Sequence, residues 1–102
     1  MKTAVLFLLT AIFASVSFAG NMKDLLIDHE ESVYEYLFDL GFELKGISNS
    51  RFTTALPGYA VAITSEVEVY SPRLRDFDMK ICTSQFTGDS ESGFQHAALD
   101  CQ

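Results

Sequence analysis

NMKDLLIDHEESVYEYLFDLG, residues 21–41, decides how the rest of the chain is read. Counted from Met22, the apolar residues Leu25, Leu26, Val33, Tyr36, Leu37 and Leu40 fall at offsets 3, 4, 11, 14, 15 and 18. That is one stripe of a 3.6-residue helix. His29, at offset 7, fills the gap in the stripe. Asn21 suits an N-cap, and Asp24 is an acid in the first turn, where the helix dipole favours it. Gly41 follows Leu40 and suits a left-handed C-terminal cap. Start, period and stop agree, and the spacing predicts a helix over Met22–Leu40.

Upstream, MKTAVLFLLTAIFASVSFAG has the form of an export leader. Lys2 is a short basic n-region, Ala4 to Val16 is apolar, and Ser17-Phe18-Ala19 places small residues where a signal peptidase reads them. The expected organisation is a signal peptide over residues 1–19 and a single small domain over 20–102, exported to the periplasm or secreted. The apolar run is shorter than the ~20 residues a spanning helix needs, so stable membrane insertion after cleavage is not expected.

The chain carries 7 basic and 14 acidic residues, a net charge of −7, and loses one more positive charge with Lys2. Such a balance repels nucleic acid and anionic lipid and is compatible with a basic partner.

Downstream of Gly41 the period changes to two. Phe42, Leu44, Phe52 and Leu56 share a parity, as one bent strand or two short ones. Pro57-Gly58 reads as a type II turn. Tyr59 to Tyr70 alternates, with Tyr59, Val61, Ile63, Val67 and Val69 on one face and Thr64, Glu66 and Glu68 on the other. Ser71-Pro72-Arg73-Leu74 breaks the pattern, and Arg75 to Phe86 resumes it with Phe77, Met79 and Ile81 as its apolar face. On that reading Val67 and Val69 oppose odd-numbered residues such as Phe77 and Met79. Thr87–Gly93 is a polar loop, and Phe94–Cys101 is a last strand or a tail.

One helix followed by three to five strands with short connections predicts an α+β domain, the helix packed on an antiparallel meander in two layers. This layout resembles cystatin-like folds in architecture alone. The glutamine-valine-glycine hairpin motif of cystatins is absent, so no activity follows from the resemblance.

Cys82 and Cys101 are an even pair in an exported chain without C-x-x-C spacing, and they are expected to form a structural disulfide. Parity sets Cys82 opposite Ile81, which would fasten the C-terminal segment to the outer face or edge of the sheet.

Three motifs suggest chemistry and fail on inspection. Gly88-Asp89-Ser90 resembles the nucleophile block of SGNH-type esterases, but no Asp-x-x-His follows and only a short tail remains. Ser90 is followed by Glu91, which excludes the Gly-Asp-Ser-Gly of chymotrypsin-like proteases. His29-Glu30 would need a second histidine at position 33, which is Val33. Asp89 and Glu91 do not make a calcium-loop pattern. No catalytic residue, metal ligand or cofactor is assigned.

The polar face of the helix carries the one unexplained pattern. Asp24, Asp28, Glu31, Glu35 and Asp39, spaced 4, 3, 4 and 4, form an acidic stripe, with Lys23 the only base on the helix. Like charges at this spacing oppose helix formation, and Asp39 lies at the unfavourable end of the dipole. These five residues are the candidate surface for a basic protein. The expectation is a non-enzymatic binding or inhibitor-like module; the alternatives are a structural or stress-related envelope component and a cation-binding protein.

Overall fold

The structure is a computed structural model that describes residues 10–102, with side chains from Met22 onward. The first half of the expected leader lies outside the described residues. Helix α1 spans Thr10–Asp39 and is followed by strands β1 (Glu43–Thr53), β2 (Val61–Ser71), β3 (Asp76–Asp89) and β4 (Gly93–Cys101). The strands form one antiparallel sheet in the order β1-β2-β3-β4. With α1 packed on one face, this is the two-layer α+β domain the periodicity predicts. Asn21 lies inside α1 in this chain, not at its cap.

The C-terminal end of α1 closes as expected. Phe42 N–H donates to Leu37 O at 2.9 Å, Gly41 N–H donates to Phe38 O at 3.0 Å, and Gly41 has φ 92°. This is a Schellman motif, which satisfies orphan carbonyls and turns the chain into β1. The buried stripe of α1 is Leu25, His29, Val33 and Leu37. Tyr36 and Leu40, read as part of it, are exposed at 39% and 57% because the stripe runs at intervals of four and leaves them on its flanks.

Strand β1 is a single strand with register shifts between Leu44 and Gly46 and between Ser48 and Arg51, the second holding Asn49 at φ 55°. The bulges change its parity, so Leu44 and Ile47 both pack against the core.

The reading of β3 is corrected. The loop from Ser71 to Asp76 has four residues, closed by Arg75 N–H to Ser71 O at 2.7 Å, and it sets Ser71 opposite Asp76. Every odd residue of β2 then opposes an even residue of β3: Val67 faces Lys80 and Val69 faces Asp78. Loop length fixes register, and a one-residue difference exchanges the faces of the strand. Phe77, Met79 and Ile81 therefore lie on the outer face, exposed, while Cys82, Ser84 and Phe86 face α1 and are buried.

Phe94–Cys101 belongs to strand β4, which is offset from β3 by a bulge at Gln85–Phe86. Cys82 and Cys101 are direct partners across β3 and β4, disulfide-bonded, with Cα atoms 4.0 Å apart. The bridge is not on the outer face: Cys82 is fully buried beside Val33, Leu37, Val67 and Val69. Its strand's apolar alternation points away from the core, so "opposite Ile81" means toward the helix.

The core has two apolar clusters. Val33, Leu37, Val67, Val69 and Cys82 form the first; Leu25, Ile63 and Phe86 form the second. Between them each element contributes a polar residue: His29 from α1, Ser65 from β2 and Ser84 from β3.

Candidate functional site

Those three residues are the centre of a hydrogen-bonded chain across the whole sheet. His29 Nδ1 lies 2.7 Å from Ser84 Oγ, and its Nε2 lies 2.8 Å from Ser65 Oγ. Ser65 Oγ continues to Ser50 Oγ on β1 at 2.6 Å, and Ser84 Oγ continues to His96 Nε2 on β4 at 2.9 Å. Residues His29, Ser65 and Ser84 are fully buried; Ser50 and His96 at the ends are half-buried. The His96 ring meets Phe86 edge to face, with centroids 5.2 Å apart.

A neutral imidazole has one donor and one acceptor, and a hydroxyl donates once. The chain is therefore satisfied in two polarities. In one, His96 donates to Ser84, Ser84 to His29, His29 to Ser65 and Ser65 to Ser50. In the other every bond is reversed. A buried network satisfied throughout costs little and fixes packing, whereas a gap in it costs a full desolvation penalty. Burial, reinforced by the neighbouring His96, lowers the pKa of His29 from 6.5 to about 4. His96 is also lowered by burial, with the Asp28 carboxylate opposing the shift. At neutral pH both rings are neutral, a state in which every bond of the chain is satisfied.

His29, which fills the gap in the helix stripe, is fully sealed. The two histidines, which a metal or hydrolytic site would need together, do converge on Ser84. The signal for this in the sequence is slight: Ser65 shares the apolar face of β2, whereas Ser84 lies on the face of β3 that alternation marks as outer and only the observed register turns it inward. Among the described residues, no group of three or more His, Cys, Asp or Glu side chains is placed to hold a metal ion.

Gly88 and Asp89 end β3 and Ser90 opens the turn to β4, so the polar loop read over Thr87–Gly93 narrows to residues 90–92. Asp89 Oδ1 accepts Glu91 N–H at 2.9 Å, Ser92 N–H at 2.7 Å and Ser92 Oγ–H at 2.8 Å, which hold its carboxyl below the usual range. Ser90 is exposed at the tip of the β3–β4 connection, with no base bonded to it among the described hydrogen bonds. Gly88 is required there: at φ 114°, a Cβ would lie 2.1 Å from Gly93 O.

Asp24, Asp28, Glu31, Glu35 and Asp39 are all exposed on α1. The ion pairs among the described residues lie elsewhere, Lys45 with Glu43 at 3.2 Å and Lys80 with Asp78 at 3.9 Å. Beside the stripe, Tyr34 and Phe38 stack with centroids 6.1 Å apart and are 54% and 65% exposed. Glu30, Glu31, Tyr34 and Glu35 border a shallow depression of about 420 Å³. The aromatic pair also lines a groove between the end of α1 and the start of β1.

The disulfide is compatible with an oxidising location, and among the described residues no helix is long and apolar enough to cross a membrane. Comparison of the chain with protein-family models, with curated proteins and with solved structures finds no match.

Proposed function

We propose that this protein is an exported, non-enzymatic binding module that takes a basic protein partner on the solvent side of α1. The observation that carries the reading is the arrangement of exposed carboxylates beside a stacked, exposed aromatic pair. Carboxylates attract a lysine or arginine at long range, and an aromatic face receives the cation at contact. Exposed aromatics on a charged face are also the residue types that anchor protein interfaces. The export leader and the disulfide support a location in the periplasm or the medium.

The buried serine–histidine pairs support a structural role over a catalytic one. Ser84 Oγ is within reach of two imidazoles, but it is fully buried under α1 and a substrate carbonyl has no path to it. A structural envelope component is the second reading. The row of exposed Phe77, Met79 and Ile81 favours it, since such a face suits self-association. Sedimentation that stays monomeric at high concentration would count against that reading.

The test is crosslinked capture from envelope and medium fractions with the oxidised mature protein, beside the double variant Glu31→Lys, Glu35→Lys. The expected result is a basic protein retained by the parent, released by salt and lost with the double variant. Equal capture by both would remove the helix face from the proposal.

A further inference from the structure

The side of the sheet away from α1 holds a recess. After β1 the chain does not close a tight hairpin. Its connection to β2 passes a turn in which Tyr59 N–H donates to Leu56 O at 3.0 Å. The same segment is tied to the sheet by Leu56 N–H, which donates to Gln85 Oε1 on β3 at 3.2 Å. Between this segment and β4 lies a recess of about 400 Å³, within the ~300–1,000 Å³ typical of small-molecule clefts.

Its floor is polar and unusually covered for an outer sheet face. Thr64 and Gln85 are each only 7% exposed. Three threonine hydroxyls form a ladder across β1, β2 and β3, with Thr53 to Thr64 at 3.0 Å and Thr64 to Thr83 at 2.9 Å. Three hydroxyls joined by two bonds retain one donor proton and several lone pairs. Gln85 uses Oε1 on Leu56, while its Nε2 donates to no partner among the described hydrogen bonds and is not a sealed, unsatisfied atom. Asp100, opposite Thr83 on β4, accepts from Gln102 through Oδ2 at 2.9 Å and leaves Oδ1 open. Leu56, Tyr59 and Ala98 supply apolar wall.

We infer that this recess is a binding site for a neutral saccharide. The lining offers an amide donor, a hydroxyl donor, a carboxylate acceptor and apolar surface. Vicinal sugar hydroxyls need donors and acceptors together, and the C–H face of a sugar ring packs on apolar side chains. An anion would meet Asp100 with no lysine, arginine or histidine in the lining, and a metal cation would find one carboxylate only. The site lies on the opposite layer from the α1 surface, so the two can be occupied independently.

The test is titration of the isotopically labelled, oxidised protein with cellobiose, maltose and N,N′-diacetylchitobiose, read by backbone amide shifts. The expected result is a saturable shift with at least one disaccharide. It should be confined to Thr53–Thr54, Leu56, Gly58–Tyr59, Thr64, Thr83, Gln85 and Ala98–Asp100, with the α1 amides unmoved. Thr83→Val and Asp100→Asn should each weaken that binding roughly tenfold or more, in spectra otherwise like the parent's. No saturable shift with any of the three, shifts outside this set, or undiminished binding by both variants would overturn the inference.

Discussion

His29 and His96 meet on one oxygen, Ser84 Oγ, at 2.7 and 2.9 Å. One ring comes from the helix and the other from the last strand, so this hydroxyl joins the two layers and the sheet edge. Ser84 can donate to only one of them, and the other must donate to it. The arrangement therefore admits two neutral rings, or one imidazolium whose proton the serines accept. It does not admit two imidazoliums, which would leave the Ser84 proton without an acceptor.

The first prediction is a loss of stability in mild acid. Unfolded His29 takes a proton near 6.5, whereas the folded ring takes one near about 4. Between these values the unfolded chain binds more protons, so stability is full above pH 6.5 and declines as pH falls toward 4. The His29 share of the decline reaches ~3 kcal/mol. Urea midpoints measured across this range should show it, and His29→Gln should flatten the limb relative to the parent. Parallel profiles for the two proteins would contradict it.

Ser84→Ala should be the most damaging of the serine truncations, by ~1–3 kcal/mol, because it strips a partner from both histidines inside the core. Ser65→Ala should cost less than Ser84→Ala, since it strips a partner from His29 alone among the rings. Ser50→Ala should cost less, since its half-buried position admits water. Chemical denaturation of the three variants gives the order; an equal effect at all three sites would show that the network does not act through burial.

Reducing the Cys82–Cys101 bridge should lower stability by ~3 kcal/mol in the chain-entropy account of a loop this size. The native protein should be lighter than its reduced form by two hydrogens, and neither thiol should alkylate without prior reduction. Alkylation of the unreduced protein would refute the bridge.

Gly88→Ala should destabilise by ~1–3 kcal/mol through a left-handed φ alone, with more from the clash on Gly93 O. Gly58→Ala shares the positive φ, at 92°, but has nothing within 4 Å of the added methyl. The difference between the two thermal midpoints measures the clash.

Replacing Glu31 and Glu35 by lysine should leave the thermal midpoint unchanged or raise it. Both are exposed, and the substitution turns the 28/31 and 35/39 spacings into opposite-charge pairs while 31/35 stays like-charged. A fall in midpoint would mean that the carboxylates hold up the fold, and loss of capture by that variant could no longer be assigned to the surface.

The helix was legible because its period and its C-terminal stop coincide; its start was not, since Asn21 lies inside α1 rather than at its cap. The faces of β2 were legible because alternation survives along its whole length. The faces of β3 were not: Phe77, Met79 and Ile81 alternate as a core face does, and the four-residue loop before them overrules the pattern. The relay was illegible for a related reason. Its members lie 55 and 12 positions apart where they meet, and a bulge in the β3–β4 pairing sets the position of His96 opposite Phe86. Hydrophobic pattern reports which residues avoid water; it does not report which polar residues will be enclosed with a partner.

The position of the disulfide also orders events during folding. Cys82 and Cys101 belong to one hairpin, and every strand pair in the sheet joins neighbours in sequence. Contacts this local form early and fast. The β3–β4 hairpin can bring the sulfurs together before the helix has settled, while an oxidant still has access. Once Val33 and Leu37 close over Cys82, exchange partners are shut out from its sulfur. The helix thus acts as a lock on a bond already made, and a chain that docks its helix while still reduced is left with a Cys82 thiol that oxidants reach only through transient opening.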